Sequence, residues 1–159
     1  MRIEQRLTDL GLTLPEPVKL PPGMSLPFPW VRVYGDRAYV SGHAPLEADG
    51  SIAQPLGKVG AEVSEEQAYE AAGKTALAVL ASLKQELGDL DRVVAWVRVF
   101  GMVGTAPGFT RTPAVINGFS DLILRLWGED AGRHARSAVG QAALPFDIPV
   151  EVEAEVALA

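Results

Sequence analysis

Apolar and polar positions recur along this chain with two different periods, and the switches between them mark its elements. Ile3, Leu7 and Leu10 fall at helical spacing and Gly11 follows as a stop, which predicts a short N-terminal amphipathic helix. Six prolines then lie between residues 14 and 29: Pro15, Pro17, Pro21, Pro22, Pro27 and Pro29. Each fixes φ and removes a backbone donor, so this stretch is an extended arm laid over the domain, joining no ladder. Residues 30–34 and 37–41 are β-rich runs around Gly35-Asp36, which predicts a hairpin. Ser64 stands as an N-cap with Gln67 three residues on, the arrangement of a capping box. The helix it opens runs to about Leu87, with Ala68, Ala71, Ala72, Ala76, Val79, Leu80 and Leu83 on its apolar face. So many alanines imply close approach to a sheet.

Gly88 ends that helix, and residues 90–103 read as a long strand. Residues 113–127 form a second helix, striped by Val115, Ile116, Phe119, Leu122, Ile123 and Leu126. Residues 128–132 break it, and strands are expected at 135–143 and 150–158. The order hairpin, helix, strand, helix, strand, strand is an α+β pattern: one β-sheet with two long helices packed on one face. The other face of that sheet then needs cover, and self-association is the natural source. At 159 residues the chain is expected to be a single domain, 1–159, with the short helix and Pro-rich arm occupying 1–29.

Composition narrows the chemistry. There is no cysteine, so disulfides, thiolate metal sites and cysteine nucleophiles are excluded. The net charge of −6 disfavours nucleic-acid phosphates. No apolar run approaches the ~20 residues that cross a bilayer, and the N-terminus lacks the h-region of a secretory signal. A cytoplasmic protein without nucleic-acid or membrane partners is expected. Nucleotide-loop glycine motifs and a nucleophile elbow are absent. The two histidines, His43 and His134, lie far apart in sequence, and either could join a carboxylate.

Glu151, Glu153 and Glu155 alternate with Val150, Val152, Ala154 and Val156, so period two puts the three carboxylates on one sheet face. That face is either simply solvated or set against a cationic partner. Arg133 and Arg136 lie on or near the preceding strand, within hairpin reach. Arg136 is either a strand arginine paired with a neighbouring glutamate or a guanidinium fork that grips a small carboxylate.

The run Arg136-Ser137-Ala138-Val139, then Leu144-Pro145, then Val150-Glu151-Val152-Glu153-Ala154, resembles the C-terminal signature of the reactive intermediate deaminase (RidA/YjgF, "endoribonuclease L-PSP"-like) family. Tyr39-Val40-Ser41-Gly42 is similar to the family's strand ending in Ser-Gly, and Asn117 matches an asparagine early in its second helix. The likeness covers residues 30–158 in order. It implies a chorismate-mutase-like fold and a homotrimer with clefts at the subunit interfaces. It implies that Arg136 binds a substrate carboxylate and that Glu151 activates water. Gly42, Asn117 and the Ala138 backbone would line the cleft. The implied reaction is hydrolysis of an enamine or imine to a 2-keto acid and ammonia, with no metal or organic cofactor. Three departures stand out. The family's cleft tyrosine has no match, since Phe28 or Pro29 falls near that position. Ala138 stands where many members carry cysteine. The Pro-rich extension and residues 58–64 mark a divergent branch. Phe28, Trp30 or Phe109 would wall a mostly apolar cleft. Alternative readings are a non-catalytic module binding a small ligand or partner at the same cleft, and a ribonuclease, which the acidic charge and the lack of a catalytic histidine pair oppose.

Overall fold

A computed structural model describes residues 2–159. Helix α1 (Arg2–Asp9) buries Ile3 and Leu7, as its spacing requires. Its first free N–H groups, those of Arg2 and Ile3, donate to the Asp91 carboxylate from a distant part of the chain. The hairpin is β1 (Val31–Tyr34) and β2 (Arg37–His43), turning through Gly35 at φ 61°. Helix α2 (Glu65–Leu87) carries the complete capping box of Ser64 and Gln67 and ends at Gly88. A 3₁₀ turn (Leu90–Arg92) occupies the start of the expected third strand, and β3 (Val93–Gly104) follows. Helix α3 (Thr112–Gly132) outlasts its expected end, running past a break at Gly128 (φ 78°, ψ 179°). Strands β4 (Ala135–Gln141) and β5 (Val150–Leu158) complete the chain.

The five strands form one sheet in the order β1-β2-β5-β3-β4. The β3–β4 pair is parallel and the other pairs are antiparallel. The crossovers β2-α2-β3 and β3-α3-β4 both step in the same direction across the sheet. Crossovers share one hand, so both helices land on the same face. This is the α+β architecture expected from the pattern, and the chorismate-mutase-like fold that the resemblance implies.

The core fills the layer between helices and sheet, with Phe119, Leu80, Leu83, Ile116, Ile123 and Val99 fully buried. The two helices touch closely where Gly118 of α3 meets α2: a Cβ there would overlap the Tyr69 carbonyl oxygen. No helix among the described residues is long and apolar enough to cross a membrane. On the opposite face of the sheet, Glu151, Glu153 and Glu155 lie side by side with Met102, Phe100 and Arg98 of β3. The predicted row of carboxylates is therefore real. Arg37 reaches Glu155 at 3.5 Å.

One expectation about register fails. The sequence puts β4 and β5 within hairpin reach, but β3 lies between them. Arg136 pairs in register with Val99 and Val99 with Ala154, so Arg136 and Glu151 are two strands apart and three residues out of line. At ~4.8 Å per strand and ~3.3 Å per residue, their backbones are on the order of 14 Å apart. They also face opposite sides of the sheet.

Candidate functional site

The predicted site residues fall into two groups in one chain. The first sits at the outer edge of the sheet. Arg136 projects from β4 toward α3, where Nη1 donates to Asn117 Oδ1 at 2.9 Å and to Ser120 Oγ at 3.1 Å. Its Nη2 donates to the Pro113 carbonyl at 3.4 Å. All three acceptors are neutral, and no carboxylate among the described residues forms an ion pair with Arg136. The reading in which a neighbouring glutamate pairs with it is thus corrected, because β3 keeps the β5 glutamates away. Burial lowers the guanidinium pKa, opposed through space by Asp121, whose carboxylate accepts from Tyr69 Oη at 2.6 Å. A guanidinium has five N–H donors. Three are used, which leaves Nε–H and one Nη2–H, the side-on fork that fits a carboxylate.

A relay holds that fork in place. His134 Nδ1–H donates to the Gly132 carbonyl at 2.8 Å, and Nε2 then accepts from Ser120 Oγ–H at 2.8 Å. The Ser120 oxygen is thereby turned toward Arg136. Burial first, and then the Arg136 charge, lower the His134 pKa, which keeps the ring neutral and able to accept. Sequence reasoning left His134 undecided and overlooked Ser120. The signals were there: His134 and Arg136 are two apart at a strand start, and Asn117 and Ser120 are three apart on a helix. The Ala138 carbonyl accepts from Thr112 Oγ1 at 2.9 Å, which ties β4 to the first turn of α3.

The second group lies beside the central strand β5, where β2 outruns β1. Gly42 and Glu151 meet there: a Cβ on Gly42 would overlap Glu151 Oε2, so only glycine lets the carboxylate lie across this strand. No side chain among the described residues donates to Glu151 or pairs with it. Burial first, then the neighbouring Glu153, push its pKa up. The carboxylate lines a cavity of about 450 Å³ together with Phe28, Trp30, Gly42 and His43. The arm roofs this cavity. Glu16 N–H donates to the Ala48 carbonyl at 2.9 Å and Lys19 N–H to the Gly50 carbonyl at 3.0 Å. Ser41 Oγ donates to the Pro29 carbonyl at 2.8 Å, anchoring the arm's end to β2.

His43 forms part of the cavity floor as a buried neutral ring. Nδ1–H donates to the Ser41 carbonyl at 2.6 Å, and Nε2 accepts from Ser82 Oγ–H at 2.8 Å. Burial pulls its pKa down to about 4. Trp30 packs on it with ring centres 5.0 Å apart, and Phe28 meets Trp30 edge-on at 5.9 Å. Phe28 and Trp30 thus line this cavity within one chain. Phe109 lies away from it, beside Gly60 and against the core.

Residues 4–153 match the family model described as "YjgF/chorismate mutase-like, putative endoribonuclease". The chain belongs to this family. It is 44% identical over 124 residues to Protein TCP17 of Trypanosoma cruzi, a span covering 78% of this chain and 76% of that one. Among solved structures it resembles Atu1372 of Agrobacterium tumefaciens, a protein of unknown function, at 39% identity and a TM-score of 0.88, covering 99% and 93% of the two chains. It also resembles a protein of Shewanella oneidensis described as a putative endoribonuclease, at 29% identity and a TM-score of 0.86, covering 98% and 99%.

Proposed function

We propose that this YjgF-family member is an enamine/imine deaminase-type hydrolase that acts on a small carboxylate-bearing metabolite at clefts between the subunits of a homotrimer. One observation carries the reading: a guanidinium with an open fork and no carboxylate, and a half-buried carboxylate with no cation, project from opposite faces of the same sheet. Each is half of a site. The open sheet face, with its row of glutamates and a hollow of about 240 Å³ lined by Tyr39, Arg98, Phe100 and Glu153, gives copies of the chain a surface to share. Packing around such a face would bring Glu151 of one protomer to Arg136 of the partner subunit.

In that cleft the arginine fork holds the substrate carboxylate, which positions without taking part in bond changes. Glu151 takes a proton from water as the oxygen attacks the imine carbon. The resulting carbinolamine expels ammonia, its nitrogen having gained the proton, and leaves a 2-keto acid. Water supplies the keto oxygen, and no oxidant or reductant is required. Residues of this kind need no metal or organic cofactor for that step.

The test is ammonia release from imines generated in situ by an amino-acid oxidase. The wild type should accelerate it, and Arg136→Ala should lower kcat/KM by about 10²-fold, the order expected when one partner of a charged contact is removed. Equal rates with wild type, variant and no protein would overturn the proposal. A second reading is favoured by Phe28, which brings a ring without a hydroxyl to the cleft: a non-catalytic module that binds a small carboxylate. Carboxylate binding that depends on Arg136, without ammonia release, would select it. The ribonuclease reading draws on the description of the Shewanella relative, but the net charge of −6 opposes it.

A further inference from the structure

We infer that the cavity under the Pro-rich arm receives the apolar side chain of the substrate, so that the preferred substrate is a 2-imino acid with a long aliphatic or an aromatic group. This rests on the reading of Glu151 and Arg136 just given and names the substrate class for that site. Three features of the cavity support it.

The first is size. A volume of about 450 Å³ is far more than the methyl group of an alanine-derived imine needs. It lies in the range of pockets that enclose whole organic ligands, and it has room for on the order of ten carbon atoms. The small side chains of Ala78 and Ala81 on α2 leave this space open, and Leu20, Leu26, Phe28 and Ile52 line it.

The second is polarity. The cavity interior offers a carboxylate no free cation. Lys84 is taken up by Glu4 at 2.8 Å and by the Gly88 carbonyl at 2.6 Å. Both nitrogens of His43 are occupied and the ring is neutral. Pro15 and Pro17 in the roof have no N–H to donate. The charged groups that line it include two carboxylates, Glu16 and Glu151. A ligand carboxylate is therefore repelled from this end, and an apolar group is accepted.

The third is continuity. Glu151 and Gly42 line the same cavity. An imine carbon beside the Glu151 carboxylate therefore has its carboxylate end directed out toward a neighbouring protomer and its side chain directed in under the arm. The roof is held by backbone hydrogen bonds from Glu16 and Lys19 to residues 48 and 50, so the space is preformed.

The experiment is isothermal titration calorimetry with 2-oxo acids, which resemble the product and are not turned over. Pyruvate, 2-oxobutanoate, 2-oxohexanoate, 2-oxooctanoate and phenylpyruvate would be compared on the intact protein. Affinity should rise roughly threefold to fourfold per methylene buried, with 2-oxooctanoate and phenylpyruvate binding far more tightly than pyruvate. Ala81→Phe, which fills the cavity from α2, should abolish that increment. Affinity that stays flat with chain length, or no binding of 2-oxooctanoate, overturns the inference, and the wild-type series decides this even if the variant fails to fold. Length-dependent binding without hydrolysis of any imine would leave the cavity assignment standing and remove the hydrolase reading.

Discussion

The β4–α3 edge around Arg136 and the β2–β5 end around Glu151 are built on opposite plans. At Arg136 a charge is held by a chain of neutral hydrogen-bonding groups, from Gly132 through His134 and Ser120 to the guanidinium. At Glu151 a charge stands without a donor on a strand crossing that only glycine permits, beside an apolar cavity. The first arrangement fixes direction and keeps a permanent charge. The second leaves the proton affinity high and the group free to move a proton. A positioning residue and a general base call for these different surroundings. Within one chain the sheet stands between the two groups, which lie two strands apart.

The largest effect is expected for Glu151→Gln, which should lower kcat by about 10²- to 10⁴-fold, the usual contribution of a positioned base. The same change should raise stability at neutral pH. Because burial raises the folded-state pKa of Glu151, its favourable contribution is complete below the ordinary carboxylate value and is lost as pH rises through the raised one. Removing this unpaired carboxylate should therefore raise stability at pH 7 and leave it unchanged at pH 4, measured by chemical denaturation. Loss of stability at pH 7 would contradict the unpaired state of the carboxylate.

His43, in the cavity floor, should produce the next largest signal. Its folded-state pKa of about 4 lies below the ordinary 6.5. Above pH 6.5 both states are neutral and stability is full. As pH falls from 6.5 to 4 the unfolded chain takes up a proton that the folded ring refuses, which should cost up to about 3 kcal/mol. His43→Gln should flatten that part of the stability profile. An unchanged slope would show that other groups set it.

Gly42→Ala tests the close approach of Glu151. The φ of Gly42 is not in the left-handed region, so the backbone accepts alanine and the flexible carboxylate must move instead. Activity should fall about tenfold, one decade being ~1.4 kcal/mol of displaced transition-state contact, while the thermal midpoint shifts by only a few degrees. Activity equal to wild type would remove Glu151 from the reaction. The smallest effect is expected for Phe28→Tyr, which restores a hydroxyl at the cleft wall. Turnover of alanine- or serine-derived imines should rise a few-fold, on the order of one hydrogen bond. Wild-type turnover of those imines that already matches a typical deaminase would show that the hydroxyl is dispensable.

The sequence alone determined what depends on near neighbours. The capping box at Ser64, the stop at Gly88, the turn at Gly35 and the period-two row of Glu151, Glu153 and Glu155 all appear where local spacing put them. These follow from interactions over a few residues, so the chain carries them wherever it folds. Both charged candidates, Arg136 and Glu151, were legible from the motif around them. Tertiary structure decided the rest. The insertion of β3 between β4 and β5 separated Arg136 from the glutamates, and no local pattern encodes which distant strand will pair. The same long-range packing brought Ser120 and His134 under Arg136, and laid the arm over α2 to enclose a cavity that no single segment contains. Strand order and cavities arise from contacts between residues far apart in the chain, and their cost and gain are set by the whole fold at once.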